Sequence, residues 1–269
     1  MPTSDYFERS GLREELAALG VRPGRVLLVQ AALRSLGPVR GGAATVVDAL
    51  LDALNAPYQG TLVAYTATPA NSATSREAAA ATRGYSPAEV EAFRAGMPAF
   101  DPATTPSSVS MGVMSEIIRK HPGAVRSSHP QTSFAAIGRL ARWITDDHPL
   151  DCHLGERSAL GRLYELDAKV LMIGVPMARF TAFHLADLRM PDVTVREYRC
   201  RVREGWIAFK APDLDDLHFA DLGEKVLERV TGATEGLVGG AFCRLIPIRE
   251  AVDLAERILR EERGLGPAA

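Results

Sequence analysis

The sequence predicts an α/β fold: a mixed central sheet flanked by helices, with an antiparallel addition toward the C-terminus. Three observations predict it. Short continuous apolar runs such as VLLVQAAL and KVLMIGV suit strands buried on both faces of a sheet. Segments with apolar residues at helical spacing alternate with them through the first two thirds of the chain, the order expected when helices cover a sheet. Beyond residue 190 the character changes to VTVREYRCRV, whose alternation fits an antiparallel strand.

The elements follow in order. GLREELAALG reads as a helix, with Ser10 as N-cap and Gly20 just past its end. Residues 26 to 33 are the first strand, 41 to 54 a helix, and GTLVAYT (60 to 66) the second strand. A polar stretch rich in Ala, Ser, Thr and Pro runs from about 67 to 108, with a helix at SPAEVEAFRAG. A segment this long inside a compact domain suits a lid or substrate loop. Then come the helix MGVMSEIIRK, the strand SFAAIG, the helices RLARWITDD and SALGRLYEL, the strand KVLMIGV and a short helix carrying His184. VTVREYRCRV leads to WIAF and an acidic connector; a helix (219 to 230), the strand GGAFCRLIPI and the helix REAVDLAERILREER follow. We read residues 1–269 as one domain, with 190–235 as an insertion beside the site.

Composition narrows the function. The 31 basic residues against 33 acidic give a net charge of −2, and no basic stripe stands out, which argues against nucleic acid as a main partner. The N-terminus is polar, without the apolar core of a signal peptide, and no apolar run is long enough to span a bilayer. Cys152, Cys200 and Cys243 are odd in number and widely spaced, which fits a reduced compartment. The expectation is a soluble cytoplasmic protein, monomer or homodimer, with no membrane contact.

Four stretches carry candidate chemistry. LVQAALRSLGPVRGGAAT is a strand, a loop and a helix start, where unpaired amides and the helix dipole favour anions, though it matches neither a Walker A nor a G-x-G-x-x-G pattern. Taken alone, the stretch reads first as a glycine-rich turn that only reverses the chain. HPLDCH (148 to 153) offers His148, Cys152 and His153, but no second cluster completes a metal shell, so a surface turn is the reading and no metal is expected. His184 and Asp187, three residues apart on a helix, can meet on one face; they suit a base with its orienting carboxylate, or a half-buried core histidine. DLDDLHFAD (213 to 221) is either an acidic rim for a cationic molecule or a solvated connector. G-x-S-x-G, H-E-x-x-H and C-x-x-C are absent.

Taken in order, LVQAALRSLGPVRGGAATVVDALLDAL, QGTLVAYTAT, FDPATTPSSVSMGVMSEIIRKHPGAVRSSHPQTSFAAIG, GERSALGRLYELDAKVLMIGV, TAFHLADLR and GLVGGAFCRLIPIREAVDLAERIL resemble the antibiotic N-acetyltransferases, which include the aminoglycoside 3-N-acetyltransferases and are distinct from the GNAT fold. The likeness is collinear over most of the chain. Its most specific part is the middle block of FDP, TP, MG, RS-x-HP and SFAA-x-G.

The resemblance implies acetyl-CoA as donor, a small-molecule amine as acceptor and no metal. The family's H-x-A-E motif reads HLAD here, so His184 carries over as the base that deprotonates the amine, with Asp187 as its partner where the family has glutamate. It places the donor near Ala32, Leu33, Arg34 and Ser35, with Thr66, Ser110, Met111 and Gly112 lining the thioester pocket and an amide there serving the oxyanion. It assigns acceptor contacts to Thr181, Arg179 and the carboxylates Asp213, Asp215 and Asp216, and structural support to Arg126, Ser127 and His129.

Two departures bear on substrate. The family's V-H-S-S-L is VQAAL, with Gln30, Ala31 and Ala32 in place of a histidine and two hydroxyls. Ahead of the histidine, Ala178, Arg179 and Phe180 stand where an Asp and a Thr or Asn are usual. A carboxylate is lost and a positive charge arrives, which points toward smaller or less cationic aminoglycosides, kasugamycin-like compounds among them, in a resistance role. A biosynthetic amine acetyltransferase and a CoA-binding protein without catalysis are the competing readings.

Overall fold

The computed structural model describes residues 6–266. The chain opens with α1 (Arg9–Leu19), β1 (Val26–Ala31), α2 (Gly42–Leu54) and β2 (Thr61–Tyr65). Two short helices follow, α3 (Arg76–Ala81) and α4 (Pro87–Ala95), then α5 (Gly112–Lys120), β3 (Ala124–Arg126) and β4 (Phe134–Gly138). Helices α6 (Ala141–Thr145) and α7 (Ala159–Glu165) lead to β5 (Lys169–Ile173) and α8 (Phe183–Leu188). The last part holds β6 (Val195–Val202), β7 (Gly205–Pro212), α9 (Phe219–Leu227), β8 (Thr234–Val238), β9 (Ala241–Pro247) and α10 (Ile248–Glu262).

Seven strands form one sheet in the order β3-β4-β2-β1-β5-β9-β8. The three central strands are parallel, β1 pairing with β2 on one side and β5 on the other. Both flanks are antiparallel. The alternation of side chains along each strand sends Leu27 and Val29 to one face of β1, and Val26 and Leu28 to the other. On the first face the core is completed by α1, α2 and α5; on the second, by α6 to α10. Burial on both faces explains why VLLV reads as an unbroken apolar run.

The mixed sheet and the antiparallel addition are therefore present, the latter as the separate hairpin β6–β7. That hairpin receives the 67–108 segment through isolated bridges Ser72–Cys200 and Phe100–Val202. Several local expectations need correction. Ser10 lies within α1, whose N-cap is Glu8 with no side-chain cap. The short strands β3 and β8 and the helix α3 went unforeseen, and the 139–147 helix shrinks to five residues. HPLDCH is no surface turn: His148, Cys152 and His153 are all buried. Among the described residues, no helix is long and apolar enough to cross a membrane.

Candidate active site

In an open sheet with parallel centre strands, the crevice forms beyond the carboxyl ends, where connections leave in opposite directions. Here that point is the C-terminal end of β1, between β2 and β5. After β5 the chain turns sharply at Gly174 (φ 61°), where a Cβ would overlap Ser35 Oγ, so glycine is required on steric grounds as well as conformational ones. A 3-10 turn (Met177–Arg179) then delivers α8.

Gln30, at the end of β1, ties this segment down. Its Oε1 accepts from Thr181 N (3.3 Å), and its Nε2 donates to Thr181 Oγ1 (2.9 Å) and to Arg179 O. The departure at Gln30 thus has a visible consequence: a side-chain amide, with both a donor and an acceptor, clamps the backbone just ahead of His184.

His184 stands where two cavities meet. The larger, about 630 Å³, lies over the ends of β1 and β5 and is lined by Gln30, Ala31, Ala32, Ser115, Val175 and Ala178. The smaller, about 270 Å³, is lined by Gln131, Thr132, His153, Arg196, Tyr198 and Leu214. Tyr65, Glu77, Ser110, Met111, His184 and Asp216 border both. One face of the His184 ring packs against Phe219, with centroids 4.7 Å apart. Burial depresses its pKa to about 4, opposed by the carboxylates of Asp216 and Asp215, so the ring is neutral at pH 7 and carries a free lone pair. Tyr65, at the end of β2, is pushed up by burial and keeps its phenolic proton as a donor. Sequence reasoning missed it; its place at the carboxyl end of a parallel strand was the available signal.

The candidate residues divide. Asp187 does not bond to His184 among the described residues: its Oδ1 lies 3.0 Å from His218 Nε2. The shorter aspartate arm meets the ring that α9 brings to it. Of the proposed donor-site residues, Ala32, Ser110 and Met111 line the larger cavity, while Leu33, Arg34, Ser35 and Gly112 do not. Ser35 Oγ instead donates to Ala32 O (2.7 Å). Thr66 is fully buried and bonds Ser133 O (2.9 Å), so it braces the sheet behind the site. The amides of Ser110, Met111 and Gly112 are taken by Ser108 Oγ, Ser108 O and Val109 O, which removes them as oxyanion donors. In the acidic run only Asp216 faces the cavities. Asp213 is held by Arg196 (2.9 Å), Asp215 accepts from Leu217 N (2.8 Å), and Asp221 pairs with Lys225 within α9. Thr181 lines the larger cavity beside Arg179, whose exposed guanidinium is 3.8 Å from Asp216.

Arg126, Ser127 and His129 are structural. Arg126 donates to Thr66 O (2.8 Å), Thr68 Oγ1 (3.2 Å) and Ser133 Oγ (3.0 Å), gathering β2, β3 and the 67–108 segment. His129 takes the amides of Gln131 and Thr132 on Nδ1, so its Nε2 donates to Leu150 O. Its ring stacks with those of His148 and His153 at 4.6 and 4.9 Å between centroids. No group of three or more His, Cys, Asp or Glu among the described residues is placed to hold a metal ion.

The family model described as aminoglycoside 3-N-acetyltransferase matches residues 28–260. The SPbeta prophage-derived aminoglycoside N(3')-acetyltransferase-like protein YokD of Bacillus subtilis (strain 168) is 34% identical over 93% of this chain and 91% of its own. The crystal structure of YokD superposes with a TM-score of 0.89 at 31% identity, covering 98% of this chain and 97% of that one. AAC-VIa bound to sisomicin gives 0.82 at 30% identity over 96% and 99%, and AAC-IIIb with CoASH gives 0.81 at 28% identity over 98% and 100%.

Proposed function

This chain belongs to the aminoglycoside 3-N-acetyltransferase family and is an acyltransferase, and on that premise we propose that it moves the acetyl group of acetyl-CoA to an amine of an aminoglycoside or related aminosugar. The observation that carries the reading is a neutral histidine at the meeting point of two chambers. The larger chamber takes the thioester arm against the ends of β1 and β5; the smaller takes the acceptor.

The amine nitrogen attacks the thioester carbonyl and its proton passes to His184; collapse of the tetrahedral adduct breaks the C–S bond, and the thiolate leaves to be protonated as CoA. The imidazolium formed at His184 is offset by Asp216. Tyr65 and the Ser110 hydroxyl are the donors bordering both chambers, and one of them faces the oxyanion. Asp187 acts at one remove: by holding His218 it fixes the start of α9 and sets Phe219 against the His184 ring.

The walls balance Arg76 and Arg196 against Glu77 and Asp216, which favours acceptors of modest positive charge, kasugamycin-like compounds among them. Acetylation of such a compound would confer resistance on a sensitive host. The test is thiol release from acetyl-CoA across a panel of aminoglycosides and simple amines, with His184→Ala alongside. Turnover with one compound class, lost at least a hundredfold in the variant while CoA binding persists, supports the reading; a variant at the parent's rate removes His184 from the reaction.

A further inference from the structure

The smaller chamber holds polar atoms that the transfer reaction leaves unused. His153 is 1% exposed and sits at φ 45°, a region uncommon for any residue with a side chain. Its Nδ1 is 3.2 Å from Thr132 Oγ1, and its carbonyl takes the Nε2–H of His148 at 2.6 Å. The ring is wedged against Tyr198 and His129, with centroids 4.4 and 4.9 Å away. Its Nε2 is buried with no partner among the described residues. Gln131, which lines the same chamber, is 8% exposed, and its Oε1 is likewise buried and unpartnered among the described residues.

His153 and Gln131 both line the smaller chamber, and each carries an orphaned polar atom that is costly unless something completes it, because a buried donor or acceptor without a partner loses its hydration and gains nothing. The strained backbone at His153 adds to that cost, and strain of this kind gathers at ligand sites. Burial, His148 and Arg196 all press the His153 ring toward neutrality, so it offers no charge to a ligand. A neutral ring and a primary amide both give and take hydrogen bonds. A hydroxyl, which donates to one and accepts from the other, is their complement, and the Arg196 guanidinium on the same wall disfavours an ammonium.

We propose that His153 and Gln131 form a specificity subsite that seats a ring hydroxyl of the acceptor sugar while a neighbouring amine faces His184. This rests on the acetyl-transfer reading of the site. Turnover of any amine by the parent tests that reading by itself, so the two can fail separately.

The test uses calorimetric titration of the full chain with sisomicin and with kasugamycin, in the presence of CoA. His153→Asn keeps the contact to Thr132 and tolerates the left-handed backbone, but gives up the Nε2 position; His153→Gln restores a polar group there. Loss of one hydrogen bond to a neutral group corresponds to about tenfold in affinity. We expect His153→Asn and Gln131→Met to weaken the probe that binds the parent by about tenfold, and His153→Gln to recover most of it. CoA affinity should hold across the set, and each variant should remain folded at the titration temperature. Equal affinity in all variants, weakening in His153→Gln as deep as in His153→Asn, a parallel loss of CoA binding, or failure of both probes to bind the parent would each overturn the proposal.

Discussion

Lowering the pH from 7 to 5 is expected to take about 4 kcal/mol from the stability of this fold through His148 and His153 alone. Both are buried and neutral in the native state, with pKa values depressed by burial to about 4 and about 3. His148 spends its Nε2–H on His153 O and receives Ser127 Oγ–H on Nδ1, so protonating it breaks a satisfied arrangement. In the unfolded chain each titrates near 6.5. Below that pH the unfolded state takes up protons that the native state refuses, and stability falls until the native values are reached. At pH 5 each ring contributes roughly 2 kcal/mol of this penalty, and at pH 7 almost none. His129, also pushed down by burial, adds in the same direction. Glu116, held low by Arg119 and Ser107, contributes only below about pH 4.5, its unfolded range. Urea unfolding at pH 7, 6 and 5, followed by tryptophan fluorescence, reads the loss directly; the melting temperature should drop by roughly 10 °C. His148→Gln should flatten the slope by up to about 1.4 kcal/mol per pH unit. Stability constant to within about 1 kcal/mol from pH 7 to 5 would refute the reasoning.

Three further outcomes follow from the geometry. Gln30→Ala releases the backbone ahead of His184 and should lower kcat by about tenfold; an unchanged kcat removes Gln30 from the positioning of the base. Asp187→Ala should lower kcat by about tenfold at most, since its carboxylate reaches His184 only through His218 and Phe219, whereas a thousandfold loss would return it to direct contact with the base. Arg126→Met strips donors from Thr66 O, Thr68 Oγ1 and Ser133 Oγ and should cost about 2 kcal/mol or more in urea unfolding, a loss under about 0.5 kcal/mol contradicting its bracing role.

The sequence carried the fold further than it carried the site. VLLV, LVA and VLMI are unbroken apolar stretches because both faces of β1, β2 and β5 are covered there, and that burial makes a parallel strand legible. The edge strands β3 and β8 are not legible, since β3 has only three residues and three of the five in β8 are exposed, so neither shows an apolar run. At the site, the HLAD motif located His184, but side-chain direction decided the rest. Asp187 has the spacing to meet His184 and still turns to His218, a partner 31 residues away that no local pattern could supply. The acidic run looked uniform in sequence; three of its four carboxylates are occupied by Arg196, the Leu217 amide and Lys225, leaving Asp216 to face the cavities. The burial of His153 is not legible in HPLDCH, because a positive φ at a buried histidine leaves no trace in residue type.

The hairpin β6–β7 joins neither flank of the main sheet, yet Arg196 and Tyr198 from it line the smaller chamber, while Gln30 lies near the end of β1 and His184 on α8. The hairpin can therefore change in length or in side chains, and reshape the smaller chamber, with the strands of the main sheet left as they are. Because Ser72 and Phe100 bridge to Cys200 and Val202, a change along 195–212 carries into the 67–108 segment as well.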